Sequence, residues 1–70
     1  MKKTKHFRLT FYESRGIIIL EQRICFLWVD LVDDEGNLIS FTNIVEAEDY
    51  LNREKRFGET YIITYKKVIE

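Results

Sequence analysis

The sequence predicts a small α+β domain: a mainly antiparallel sheet of about four strands, in the order β-β-β-α-β, with one helix packed on one face. Three observations carry the prediction. Residues 5–13 alternate apolar and polar side chains, the pattern of a half-buried strand. Residues 17–32 are apolar at twelve of sixteen positions and rich in β-branched and aromatic side chains, which favours strand over helix. Residues 44–56 alone carry helical spacing, and a final alternating stretch follows Gly58.

Seventy residues form a single domain, 1–70, that buries only about 60% of the surface its unfolded chain exposes. Cys25 is the only cysteine and His6 the only histidine. A disulfide framework and a Cys/His zinc site within one chain are therefore excluded, and a reducing, cytoplasmic setting is expected. The basic start Met1–Arg8 lacks the apolar core of a signal peptide. The longest apolar runs, Ile17–Leu20 and Ile24–Val29, fall far short of the roughly 20 residues of a membrane-spanning helix. A soluble protein with no membrane contact is expected. The net charge of −1 implies no polyelectrolyte partner, but the charge is uneven. Residues 1–12 hold Lys2, Lys3, Lys5 and Arg8 without an acid, and residues 30–50 hold seven acids without a base.

In the first strand Phe7, Leu9 and Phe11 face one way, and His6, Arg8, Thr10 and Tyr12 the other. Ser14-Arg15-Gly16 makes a reversal. The apolar stretch follows, and Glu21-Gln22-Arg23 marks either a bend in one long strand or a turn between two. Read as continuous strand from Ile24, one face carries Cys25, Leu27, Val29 and Leu31. The other carries Ile24, Phe26, Trp28 and Val32, with Asp30 among them. Asp33-Asp34-Glu35-Gly36-Asn37 is a tight turn. Leu38–Phe41 is then a short strand pairing back on Leu27–Val32.

Asn43 as N-cap with Glu46 three residues on reads as a capping box, with Thr42 as the alternative cap. The helix runs to about Arg56 and presents Ile44, Ala47, Tyr50 and Leu51 on one stripe. Acids crowd its first half and Arg53, Lys55 and Arg56 its last turn, as the helix dipole favours. Thr60–Ile69 is the last strand. A crossover through the helix sets it parallel to the first strand and beside it, for a sheet order of 3-2-1-4.

No motif for catalysis stands out. Cys25 lies among apolar residues, where burial makes a thiol inert, and no group orients His6 as its base. The acids before Gly36 miss the ligand register of a calcium loop and serve the turn instead. No glycine-rich phosphate loop or serine nucleophile motif is present. The sequence thus predicts no enzyme, no cofactor and no metal.

Two binding readings remain. One helix shields only one side of a sheet, so the face carrying Ile24, Phe26, Trp28 and Asp30 is expected to be covered by a second copy or a protein partner. Asp30 then lies at the rim or pairs with a base such as Arg23. The alternative is nucleic-acid binding on the basic, aromatic strand face, with His6, Arg8, Tyr12, Lys66 and Lys67 as contacts. The acidic middle and near-neutral charge favour the protein partner, and a homodimer is expected. In its length, lack of catalytic motifs and apolar surplus the chain is similar in type to small accessory or inhibitor proteins of phages and mobile elements.

Overall fold

The computed structural model describes residues 3–69; Lys2 of the basic tail lies outside them. Strand β1 (Lys3–Tyr12) turns into β2 (Ile17–Ile24), β3 (Leu27–Asp30) and β4 (Ser40–Phe41). Helix α1 (Ile44–Glu54) and strand β5 (Glu59–Val68) complete the chain. The fold is the expected α+β class: one helix on a mixed, mostly antiparallel sheet of order β3-β2-β1-β5, with β4 also paired to β2. The last strand lies parallel to the first and beside it, from Lys3 opposite Glu59 to Tyr12 opposite Val68.

The first reversal is built by Gly16, whose φ of 65° is open chiefly to glycine, and whose N–H reaches the Tyr12 carbonyl at 2.9 Å. The β1–β2 register sets Leu9 opposite Leu20 and Phe11 opposite Ile18. Directly opposed residues share a face, so these apolar side chains gather on the helix side. There Phe7, Leu9, Ile18, Leu20 and Phe41 pack with Ala47 and Leu51 of α1 into the core.

The helix begins as the sequence indicates. Asn43 caps it by accepting the Glu46 N–H at 2.9 Å, while the Glu46 carboxylate accepts the Thr42 hydroxyl at 3.0 Å. It ends at Glu54, two residues short of the expected boundary, where Lys55 caps it in extended conformation. The acidic turn also forms as read. The Asp33 carboxylate accepts the N–H groups of Glu35 and Asn37, and Gly36 takes a φ of 85°.

The apolar stretch departs from the expectation in two ways. It is neither one bent strand nor a pair divided at Glu21-Gln22-Arg23. Those three residues lie within regular strand, and the chain reverses at Cys25-Phe26. The strand tolerates Glu21 because Arg8 and Thr10, side by side on β1, bind its carboxylate. Further, Ser40–Phe41 pairs with Ile19 and Ile18 of β2, not with Leu27–Val32; only the bridge between Val32 and Leu38 survives of that pairing. Strand β3 occupies only the last four residues of the β2 edge, leaving its first half to β4. The exchange occurs at Leu20, whose carbonyl accepts the Leu31 N–H and whose own N–H donates to the Ile39 carbonyl.

A candidate interaction surface at the hairpin end of the sheet

A two-residue turn sets Ile24 opposite Leu27, Arg23 opposite Trp28 and Glu21 opposite Asp30. This corrects the expected common face. Ile24, Leu27 and Val29 share the helix side, whereas Trp28 and Asp30 lie on the open side with Arg23 and Glu21. Phe26 belongs to neither strand, being in the turn itself. Cys25 is also in the turn and exposed, contrary to the buried thiol expected. The reversal inverts the alternation that a continuous strand would impose, and the two sets of residues part.

The hairpin tip reaches beyond the helix, and its apolar side chains stand uncovered. Phe26 is 88% exposed, Leu27 71% and Ile24 51%. The turn that presents them is unfavourable for its residues. Short hairpin loops prefer Asn-Gly or Asp-Gly because L-residues with side chains resist positive φ. Here Cys25 holds a φ of 58°, the only non-glycine among the described residues to do so.

Phe57, fully exposed, comes to the same end of the sheet. It precedes Glu59, which pairs with Lys3, while the β2–β3 tip runs past the level of Lys5. Between these two apolar points, beneath the end of α1, lies a cleft of about 420 Å³ lined by Lys3, Lys5, Gln22, Glu54, Arg56 and Tyr61, among others. Glu59 organises its floor. Its carboxylate meets Lys5 Nζ at 3.0 Å and accepts the Arg56 N–H at 2.9 Å and the Tyr61 hydroxyl at 3.2 Å. The Arg56 N–H, then Lys5, hold the Glu59 carboxyl at a pKa of about 2. Tyr61 is raised, by burial first and then by the neighbouring carboxylate.

The open face is organised differently. Arg8 grips Glu21 through two hydrogen bonds, Nε to Oε1 at 3.1 Å and Nη2 to Oε2 at 2.7 Å. Thr10 donates its hydroxyl to the same carboxylate, and the Trp28 ring lies 4.5 Å from the guanidinium carbon. The Arg8 hydrogen bonds, ahead of the opposing cost of burial, hold the Glu21 carboxyl below its ordinary range. Sequence reasoning missed Glu21. Its signal was a lone acid run inside apolar strand, which requires a base on the neighbouring strand.

Of the residues read as nucleic-acid contacts, His6, Arg8, Tyr12 and Lys66 share the open face, and Lys67 lies on the helix side. Arg8 is already committed to Glu21 and Trp28. Lys67 approaches Glu13 at 3.9 Å, both side chains being more than half exposed. Among the described residues, no group of three or more His, Cys, Asp or Glu side chains is placed to hold a metal ion. Among them, too, no helix is long and apolar enough to cross a membrane. No protein-family model, curated protein or solved structure matches this chain.

Proposed function

We propose that this chain is a non-catalytic interaction protein that self-associates and docks a protein partner through the tip of the β2–β3 hairpin. One observation carries the reading. A strained, non-glycine turn holds Phe26 out in water between the exposed Ile24 and Leu27. Folding alone gives no reason for this, because a turn with glycine first and a polar residue second closes the same hairpin at lower cost. Exposed aromatic residues flanked by aliphatic ones are the anchors of protein interfaces. The exposed single thiol beside them suits a reducing, cytoplasmic setting. On the open face, Arg8 gains its binding energy from Glu21, which favours a protein partner over nucleic acid.

The lone thiol offers the test. A photocrosslinker attached to Cys25 is expected to capture one defined protein in extracts of the native host. Phe26→Asp, at a position too exposed to alter folding, is expected to abolish the adduct while leaving the thermal melt within about 0.5 kcal/mol of wild type. Adducts that are diffuse, or unchanged in the Phe26→Asp chain, would refute docking through this tip.

A further inference from the structure

The cleft beside the hairpin tip holds charges that the fold itself does not use. Its wall carries the cations Lys3, Lys5 and Arg56 and the acids Glu54 and Glu59. Lys5 and Glu59 meet at 3.0 Å, and the Arg56 N–H and the Tyr61 hydroxyl complete the set around Glu59. The Lys3 ammonium and the Arg56 guanidinium stand apart from this group. Both side chains are exposed, and neither has an ion-pair or hydrogen-bond partner among the described residues. The Gln22 amide, on the same wall, is equally unpartnered among them. Glu54 stands beside Tyr50, whose hydroxyl is raised by burial and then by that carboxylate. The floor beneath is apolar, made by Phe7, Leu20, Leu31 and Leu51.

We infer that this cleft receives a short acidic segment of the protein partner, with a carboxylate set between two apolar side chains. The inference rests on the docking at this end of the molecule proposed above and adds the chemistry of the partner. Charge complementarity selects the acid, because the two unused charges of the wall are both positive. The apolar flanks follow from the exposed Phe26 at one end of the cleft and the exposed Phe57 at the other. The strands next to them, β2 and β5, flank β1, and two strand spacings come to about 10 Å. An extended segment covers that span in about three to four residues. Lys3, on the intervening β1, meets its middle. Nucleic acid is the poorer fit. Its repeated phosphates would meet Glu54 as well as the cations, and the neighbours of Phe26 at the tip, Ile24 and Leu27, are aliphatic rather than stacking partners for bases. A peptide instead brings backbone N–H groups that donate to Glu54 and to the Gln22 side-chain carbonyl.

Short peptides test this chemistry. A displayed library of random peptides, panned on the full chain, is expected to enrich sequences with Asp or Glu between apolar residues. For one such peptide made synthetically, Lys3→Gln combined with Arg56→Gln is expected to weaken binding by about tenfold or more. Replacing the peptide's acid by its amide has the same effect on the unmodified chain and little further effect on the double variant. Both substituted side chains are exposed, and thermal melts confirm that the double variant folds. Enriched peptides without an excess of acids, or binding to the double variant as tight as to the unmodified chain, would overturn the acidic segment. If Phe26→Asp still abolishes their binding, docking through the tip stands. Acid-dependent binding that Phe26→Asp leaves unmoved would instead overturn the tip as the anchor. No enriched peptide at all would overturn the inference and leave the tip to the Cys25 crosslink. Single-stranded DNA that binds more tightly than any peptide, and is lost in the double variant, would overturn it in favour of nucleic acid.

Discussion

At the scale of single residues, the most consequential interaction is that of Arg8 with Glu21. A carboxylate with a tenth of its surface exposed survives there because a guanidinium grips it with two bonds and a threonine adds a third. Removing either charge leaves the other desolvated and unpaired. Arg8→Gln or Glu21→Gln alone is expected to cost about 2–3 kcal/mol in urea melts, and the double variant less than the two combined. Acid stability follows the same logic. The folded-state pKa of Glu21 is lowered, and that of Glu59 falls from the ordinary 4.5 to about 2. A lowered carboxyl pKa contributes stability above the unfolded value and loses it as protons bind the folded form. Stability is therefore expected to fall as pH drops from about 4.5 toward 2, with a shallower slope in Glu59→Gln. An unchanged slope in that variant would show that Glu59 does not govern acid unfolding. Little in the sequence displayed this pairing, because it depends on the β1–β2 register that sets Arg8 opposite Glu21.

At the scale of elements, the β2–β3 hairpin combines a strong strand preference with a poor turn. Ile17–Ile24 and Leu27–Asp30 are strand by composition, yet Cys25-Phe26 is among the least turn-like pairs in the chain. The hairpin closes there, just beyond the end of the β1–β2 pairing at Phe7 and Gln22. Relieving the turn should therefore stabilise the fold. Cys25→Asn, which tolerates positive φ, is expected to raise stability by about 0.5–1 kcal/mol, and Cys25→Val to lower it by about 1–2 kcal/mol. Equal melts for the two variants would mean that the backbone at Cys25 is not strained. The helix shows the opposite balance. Its cap at Asn43, its stripe of Ala47 and Leu51 and its basic last turn all agree, and it forms almost where the periodicity places it.

At the scale of the whole molecule, one helix covers one face of the sheet, and among the described residues a cluster of seven buried apolar side chains makes the core between them. Leu20 sits at its centre, fully buried and at the point where the edge of β2 passes from β3 to β4. Truncating a buried leucine costs about 2–5 kcal/mol, and a core in a chain of this size supplies little more than about 3–5 kcal/mol in total. Leu20→Ala is thus expected to abolish the cooperative thermal transition seen by circular dichroism. Ile24→Ala, on the same strand but half exposed, is expected to leave it nearly intact. Similar melts for the two would place the centre of the core elsewhere.

The sequence by itself determined the fold class, the helix with its cap, the Asp33–Asn37 turn and the parallel return of the last strand beside the first. Each of these rests on local preference or on a chirality rule that few neighbours can override. Tertiary structure decided where the apolar stretch reverses, which strand receives Ser40–Phe41, and which side chains share a face. The physical reason is the two-residue period of a strand. A turn placed at Cys25-Phe26 puts Ile24 and Trp28 on opposite sides of the sheet, whatever their hydrophobicity. The apolar surplus was legible from composition. Its division between a core, a roof of Trp28 over Arg8 and an exposed hairpin tip depended on pairing between residues far apart in the chain.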